Sequence, residues 1–188
     1  MCSDRRGIIA AVMHMRRSLL IAVFLLPLVS RAALCGEPVR AGELQSAQGV
    51  VRELYRLVCV PVGGDTDWEQ VRTLFLPEAV IVLRESKDAL STFTLQGWID
   101  DFIAYNKKAR SSERGFEEKI VRMAPTEFRD IAHILVLYEA RLLDWKDKPA
   151  QPGVDSIELV RKDGRWWIAA ITNDIPNTEN PIPTALRE

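Results

Sequence analysis

Few side chains beyond residue 35 could carry acid–base or nucleophilic chemistry. His133 is the one histidine in that part of the chain, and Tyr55 and Tyr138 are phenols that could meet a ligand oxygen. An imidazole changes its charge near neutral pH, and a buried phenol usually finds a hydrogen-bond partner. Tyr55, His133 and Tyr138 are therefore the candidate catalytic residues, although none of them is part of a motif.

Motifs for metal, phosphate or triad chemistry are missing from the sequence. One histidine and at most two cysteines beyond residue 34, Cys35 and Cys59, cannot build the usual zinc sites, and neither HExxH nor CxxC occurs. Gly63-Gly64 lacks the lysine and the spacing of a phosphate-binding loop. We therefore expect no metal and no cofactor.

The elements that must position these residues begin with helices. Apolar residues at steps of three and four predict a helix from Leu44 to Val58. A capping box at 66–69 predicts a second, short helix that ends at Pro77. The β-rich segment 79–83 predicts a strand with 92–94 as its hairpin partner, and a third helical face follows over 95–103.

From Gly115 onward the period of the apolar residues changes to two, which is typical of strands. Four long strands are predicted, with turns at Pro125–Asp130 and Asp163-Gly164 and a loop at 146–153. Their ranges are 116–123, 131–143, 154–161 and 165–173. The fold class is therefore α+β, with three N-terminal helices packed on one face of a mainly antiparallel sheet.

The strand that contains His133 has two different faces. One face carries apolar residues and Tyr138 and should point to the helices and a pocket, whereas His133 falls on the mixed, outer face. Inverted parity would instead make His133 the pocket base. We expect the pocket to be lined by Tyr55, Trp68, Trp98, Ile134, Val136, Tyr138 and Trp166. An outer face with Leu135, Leu137 and Trp167 needs cover, which favours a homodimer.

The N-terminal segment has the pattern of a secretory signal peptide. Arg16 and Arg17 precede an apolar stretch at 19–29, which is too short to span a bilayer and is followed by small residues. Residues 1–35 are therefore read as leader, with Met13 or Met15 as alternative starts and cleavage after Ala32 or after Cys35. Lipidation of Cys35 is disfavoured by the bulky residue before it, and a Cys35–Cys59 disulfide depends on the cleavage site.

The expected mature chain is mildly acidic. Residues 1–35 hold five arginines and one acid, so 20 basic and 25 acidic residues follow them. This balance argues against nucleic acid as a partner. We expect a secreted protein, with the bacterial periplasm favoured, that has no membrane span. Residues 36–43 form a linker, 44–175 the domain and 176–188 a proline-rich arm.

Several segments together resemble the nuclear transport factor 2-like superfamily, which includes the SnoaL-like and steroid isomerase-like domains. They are the first helix, 67–80 from Asp-Trp-Glu to Pro-Glu-Ala-Val, 131–141, and 156–168 through Asp-Gly-Arg-Trp-Trp-Ile. The resemblance implies that the sheet is strongly curved, so that the fold is a cone-shaped α+β barrel with a pocket between sheet and helices. It also implies frequent homodimers. It implies no single reaction, because function depends on the site.

The resemblance also bears on catalysis. Steroid isomerase-like members have a carboxylate base at the strand end that corresponds to Leu83, and a leucine cannot accept a proton. Our first hypothesis is therefore a homodimer that binds a small apolar ligand or a partner without catalysis, with few titratable groups on the inner face. The second is an isomerase- or dehydratase-like enzyme for a small carbonyl or hydroxylated compound. The third is an assembly module with a filled core.

Overall fold

A computed structural model describes residues 38–86 and 88–187. The expected leader, the alternative starts, the cleavage sites and Cys35 with its lipidation and disulfide lie outside the described residues. Among the described residues, two helices precede the first strand and two more follow the first hairpin. The helices are α1 (Ala47–Leu57), α2 (Trp68–Arg72), α3 (Leu95–Ala109) and α4 (Ser111–Arg114), with short 3-10 helices at Glu43–Gln45 and Thr184–Leu186.

Six strands form one curved sheet. They are β1 (Phe75–Ser86), β2 (Ala89–Thr94), β3 (Phe116–Phe128), β4 (Ile131–Leu142), β5 (Gln151–Lys162) and β6 (Arg165–Asp174), in the order β2-β1-β6-β5-β4-β3. Every neighbouring pair is antiparallel except β1 and β6. Irregularities in the β3–β4 and β5–β6 registers bend the sheet. The predicted α+β class is confirmed.

The core lies between the helices and one face of the sheet. Each of the three longer helices begins at a side chain that accepts a backbone N–H three residues later, namely Ser46, Asp67 or Thr94. The apolar face of α1 packs on alternate residues of the strands, and this burial fixes which side of each strand faces inward. Fully buried examples are Val50, Val51, Ile134, Val136, Ile157 and Ile168.

Three of the prolines that the structure describes lie inside strands, although the sequence predicts that Pro77 ends a helix, that Pro125 begins a turn and that Pro152 lies in a loop. Helix α2 already ends at Arg72, and Pro77 falls where the β1–β6 register is interrupted between Phe75 and Val80. Pro125 lies on β3, where it pairs with Ile134 of β4. Because β3 is at the edge of the sheet, its outer side needs no N–H donor. The turn itself is confined to residues 129–130, where Arg129 has a φ of 55°.

The proline-rich arm returns to the body of the domain. It ends in the 3-10 helix Thr184–Leu186, which packs against β3 and β4, and Leu186 is buried. A purely extended arm would leave this leucine in water. The burial of one large apolar side chain gives the segment a reason to dock.

Candidate functional site

A cavity of about 240 Å³ lies between α1, α3 and the inner face of the sheet. Aromatic and aliphatic side chains form most of its wall, and the polar groups come from Asp101, Glu118, Asp155, Asn173 and the tyrosine hydroxyls. Asp101 and Tyr105 are exposed, so they mark the rim, whereas Asp155 is only 9% exposed. Pockets of this composition commonly bind small molecules.

Helix α3 supplies one wall of the cavity. Trp98, Asp101, Phe102 and Tyr105 lie three, four and seven residues apart, which places them on one helical face. The rings of Phe102, Tyr105 and Phe116 pack edge to face, with centroids 5.8 to 6.1 Å apart. The aromatic wall is therefore held by ring contacts as well as by the helix.

The sheet supplies the polar side chains through its alternation. On β4 and β6 the lining residues are two apart, Tyr138 with Ala140 and Ile171 with Asn173. The strand register then places lining residues of neighbouring strands side by side, because Asp155 of β5 pairs with Asn173 of β6. In the same way Glu118 of β3 is opposite Ala140.

Asp155 is the centre of a hydrogen-bond network. The Tyr55 hydroxyl donates to its Oδ2 at 2.5 Å, and the Asn173 amide Nδ2 donates to its Oδ1 at 2.7 Å. The same Nδ2 donates to the Tyr138 hydroxyl at 3.0 Å. Burial raises the pKa of Asp155 to about 6, against the effect of the hydrogen bonds from Tyr55 and Asn173.

Glu118 is a second carboxyl at the cavity, and it has no hydrogen bond or ion pair to its carboxyl group from the described residues. Its backbone is engaged instead, since the Cys59 thiol donates to its carbonyl at 3.7 Å. Burial, together with the charge of Asp155, raises the pKa of Glu118 to about 8. Both carboxyls can therefore gain or lose a proton near neutral pH.

The two buried phenols remain protonated. Burial and the charge of Asp155 raise the pKa of Tyr55 and Tyr138 well above their ordinary value. They can therefore act as hydrogen-bond donors at physiological pH, and their rings lie 5.5 Å apart.

Gly153 makes room for Tyr138. The two residues are paired on β4 and β5, and a Cβ at position 153 would collide with the tyrosine's Cζ and hydroxyl oxygen. The close approach of the ring to the neighbouring backbone requires glycine there. The lack of a side chain at Gly153 thus allows the Tyr138 ring to occupy this position.

The residues expected at the pocket divide into two groups. Tyr55, Trp98 and Tyr138 line the cavity. Trp68, Ile134, Val136 and Trp166 lie elsewhere, packed in or against the hydrophobic core. The last three have the inward parity, but the cavity lies towards one end of the sheet, so parity alone does not bring a residue to it.

The candidates assigned to the outer face are also located by the structure. His133 Nε2 lies 2.9 Å from Ser156 Oγ of the neighbouring strand and does not line the cavity. Leu135 is half-buried and Leu137 is buried within the chain. Trp167 already has a cover, because the Arg165 guanidinium lies 3.6 Å from its ring centroid.

Sequence reasoning missed the carboxyls of the cavity. The expectation of an inner face with few titratable groups is wrong, since Glu118 and Asp155 both line the cavity. A signal was present in the alternation, because Asp155 has the parity of the buried Ile157 and Leu159. An acid within an otherwise apolar strand face marks a buried polar site.

Two further findings concern only the described residues. No group of three or more His, Cys, Asp or Glu side chains there could hold a metal ion. None of the described helices has the length and apolar character that a membrane crossing requires.

The sequence matches no protein-family model and no curated protein. Solved structures do match. An NTF2-like protein with a cystatin-like fold from Novosphingobium aromaticivorans is 12% identical, with a TM-score of 0.55 over 74% of this chain and 84% of that one. A protein of unknown function with a cystatin-like fold from Nostoc punctiforme is 9% identical, with a TM-score of 0.54 over 76% and 97% of the chains.

An NTF2-like protein of unknown function from Pseudomonas putida gives a similar result. It is 8% identical, with a TM-score of 0.54 over 77% of this chain and 94% of that one. At these identities the likeness concerns the fold. The chain therefore has the fold of the nuclear transport factor 2-like proteins, which its sequence motifs resemble.

Proposed function

We propose that this protein binds one small, largely apolar molecule in its cavity without changing it chemically. The observation that carries the proposal is the cavity of about 240 Å³ with its aromatic and aliphatic wall and a polar cluster centred on Asp155. The cavity also argues against the assembly-module hypothesis, which requires a filled core. Leu83 contributes an aliphatic side chain to the wall, where the resemblance would have a base.

The test is non-denaturing mass spectrometry of the mature protein, purified from the compartment to which it is exported. We expect a mass increment from a bound small molecule. Ala140→Leu fills the cavity and should remove the increment, whereas Ala104→Leu adds the same volume on the exposed side of α3 and should retain it. A protein without an increment that also fails to bind tert-butylbenzene, measured by NMR, would refute the proposal.

A second candidate function is an isomerase- or dehydratase-like reaction on a small carbonyl or hydroxylated compound. It is favoured by the pKa values of Asp155 and Glu118, about 6 and about 8, which suit proton transfer at neutral pH. The Tyr138 hydroxyl accepts a hydrogen bond from Asn173 and could donate its own proton to the substrate oxygen, whereas the Tyr55 hydroxyl donates to Asp155. Turnover that is lost in Asp155→Asn and kept in Asp163→Asn, a turn position with φ of 52° that tolerates asparagine, would favour this function.

The proposal includes a homodimer through the outer face of the sheet. Ile131 and Phe128 are exposed apolar residues paired at the end of β3 and β4, and Leu135 lies farther along the same face of β4. Leu135→Asp should then convert a dimer to a monomer in light scattering. An unchanged mass would count against the dimer.

Export is proposed from the leader pattern alone. N-terminal sequencing of the exported protein should find a start near residue 33 or 36. An N-terminus at residue 1, 13 or 15 in the mature protein would contradict cleavage.

A further inference from the structure

The cavity wall combines aromatic rings with acids and has no basic partner. Three acids line it, Asp101, Glu118 and Asp155, and no Lys, Arg or His among the described residues does so. Six aromatic side chains surround them: Tyr55, Trp98, Phe102, Tyr105, Phe116 and Tyr138. The wall is therefore rich in groups that attract a positive charge.

The nearby arginines are engaged elsewhere. Arg52 and Arg56 border an adjoining cleft that shares Tyr55 and Glu118 with the cavity. Arg56 pairs with Glu53 at 2.7 Å and Arg52 with Glu43 at 2.8 Å. Arg114, which influences Tyr105 at the rim, pairs with Asp144 at 2.8 Å. Lys119 also borders the adjoining cleft, but no ion pair joins a basic side chain to a cavity carboxyl within residues 38–86 and 88–187.

The carboxyl group of Glu118 is the least satisfied of the three. Asp155 accepts hydrogen bonds from Tyr55 and Asn173, and Asp101 is exposed to water. Glu118 is partly buried at the cavity wall and accepts none from the described residues. Burying a carboxylate without a partner is costly, and an incoming cation would remove that cost.

The aromatic rings of the cavity wall would also attract a positively charged group. Trp98, Phe102, Tyr105 and Phe116 form a continuous wall, with neighbouring centroids 5.7 to 6.1 Å apart. The faces of aromatic rings attract ammonium groups, and cages of such rings bind quaternary ammonium ligands.

We propose that the cavity binds a small organic cation, an ammonium group on a compact apolar frame, with the charge between Glu118 and Asp155 and the frame against the aromatic wall. The inference rests on the proposed binding function, because it names the charge of the ligand that the same cavity takes. A bound ammonium would supply the counter-charge that lowers the raised pKa of Glu118, and the carboxyl would release its proton.

The test compares two probes of the same shape, phenyltrimethylammonium and its uncharged carbon isostere tert-butylbenzene. Both are titrated by NMR into the mature protein. We expect the cation to bind about tenfold more tightly than the hydrocarbon. Glu118→Gln should remove most of this preference, so that the ratio of the two affinities falls towards one. Glu139→Gln makes the same change on the exposed, opposite side of the sheet and should have no effect.

The outcomes separate this inference from the proposed function. Binding of tert-butylbenzene without a preference for the cation would overturn the inference and leave apolar binding intact. A preference that survives both Glu118→Gln and Asp155→Asn would also overturn it, because the charge would then be held elsewhere. Failure of both probes to bind to a protein that also carries no mass increment would overturn the proposed function as well.

Discussion

The protein buries carboxyl groups in two regions that adjoin α1, and it treats them differently. Glu53, on α1, is fully buried and receives hydrogen bonds from Arg56 at 2.7 and 3.0 Å and from Arg40 at 2.6 Å. Burial would raise its pKa, but these two arginines outweigh that effect and hold it below its ordinary value. Glu118 and Asp155, at the cavity, receive no hydrogen bond from any arginine that the structure describes, and their pKa values are raised.

The difference indicates two roles for buried acids. A carboxylate with two guanidinium partners is satisfied within the chain. Glu53 also ties the segment around Arg40, which precedes α1, to that helix. Carboxyls without a cation are costly to the folded protein, and such sites are typically functional. The predictions below test this contrast.

The largest effect is expected from Glu53→Ala. The side chain of Arg56 is only 8% exposed, so the substitution leaves a buried positive charge without this carboxylate and should cost about 3 kcal/mol of unfolding free energy. Urea denaturation measures the change. Glu43→Ala breaks the more exposed pair with Arg52 and should cost less than about 1 kcal/mol. Equal losses in the two variants would contradict the contrast.

Gly153→Ala should destabilise the protein by about 2 kcal/mol, because the new Cβ forces the Tyr138 ring from its position. Binding of tert-butylbenzene should weaken with it, since Tyr138 lines the cavity. The control is Gly42→Ala, where a Cβ meets no neighbouring atom within 4 Å and φ is −63°. A normal stability in Gly153→Ala would show that the ring has room to move.

Glu118→Gln should alter the slope of unfolding free energy against pH more than it alters the unfolding free energy at any one pH. Between the ordinary carboxyl pKa and about 8 the folded protein keeps a proton on Glu118 that the unfolded chain releases, so unfolding free energy falls as pH rises. The variant lacks this decline, whose slope cannot exceed about 1.4 kcal/mol per pH unit for one proton.

Denaturation midpoints at several pH values between 5 and 8 measure this slope. The titratable side chains that influence Glu118 or are influenced by it are Asp155, Tyr55, Tyr105 and Tyr138. The tyrosines have raised pKa values and stay neutral in this range, and Asp155 contributes its own decline up to about pH 6. Identical slopes in Glu118→Gln and the unmodified protein would place the titration elsewhere.

The smallest effect is expected from Asp101→Asn. This carboxylate lies at the exposed rim, where water and salt screen its charge, so the affinity for phenyltrimethylammonium should change by no more than about twofold. The titration used for Glu118→Gln provides the comparison. A loss as large as that of Glu118→Gln would mean that the cation is held at the rim and not inside the cavity.

The fold was predictable because it depends on local periodicity. The change from helical steps to alternation near Gly115 and the hairpin at Asp163-Gly164 are visible in the sequence, and both appear in the structure. Pro77 and Pro125 misled the prediction of boundaries. A strand accepts a proline where no neighbouring strand needs its backbone N–H, at a sheet edge or an interruption of the register. The position of a strand in the sheet is decided only when the sheet assembles.

The site was only partly predictable. Tyr55 and Tyr138 could be proposed as site residues from residue type and parity. The sequence did not indicate that Glu118 and Asp155 line the same cavity. Asp155 is 100 positions from Tyr55 along the chain, and the hydrogen bond between them exists only because α1 packs on the sheet, against β3, β4 and β6.

The sequence by itself therefore determined the α+β class, the faces of the strands and the scarcity of histidine and cysteine chemistry, because each is set by residue type and short-range spacing. Only the tertiary structure decided which acids are paired with arginine and which face an aromatic cavity. Partnership of buried charges depends on contacts between distant segments, and those contacts follow from packing and not from position along the chain.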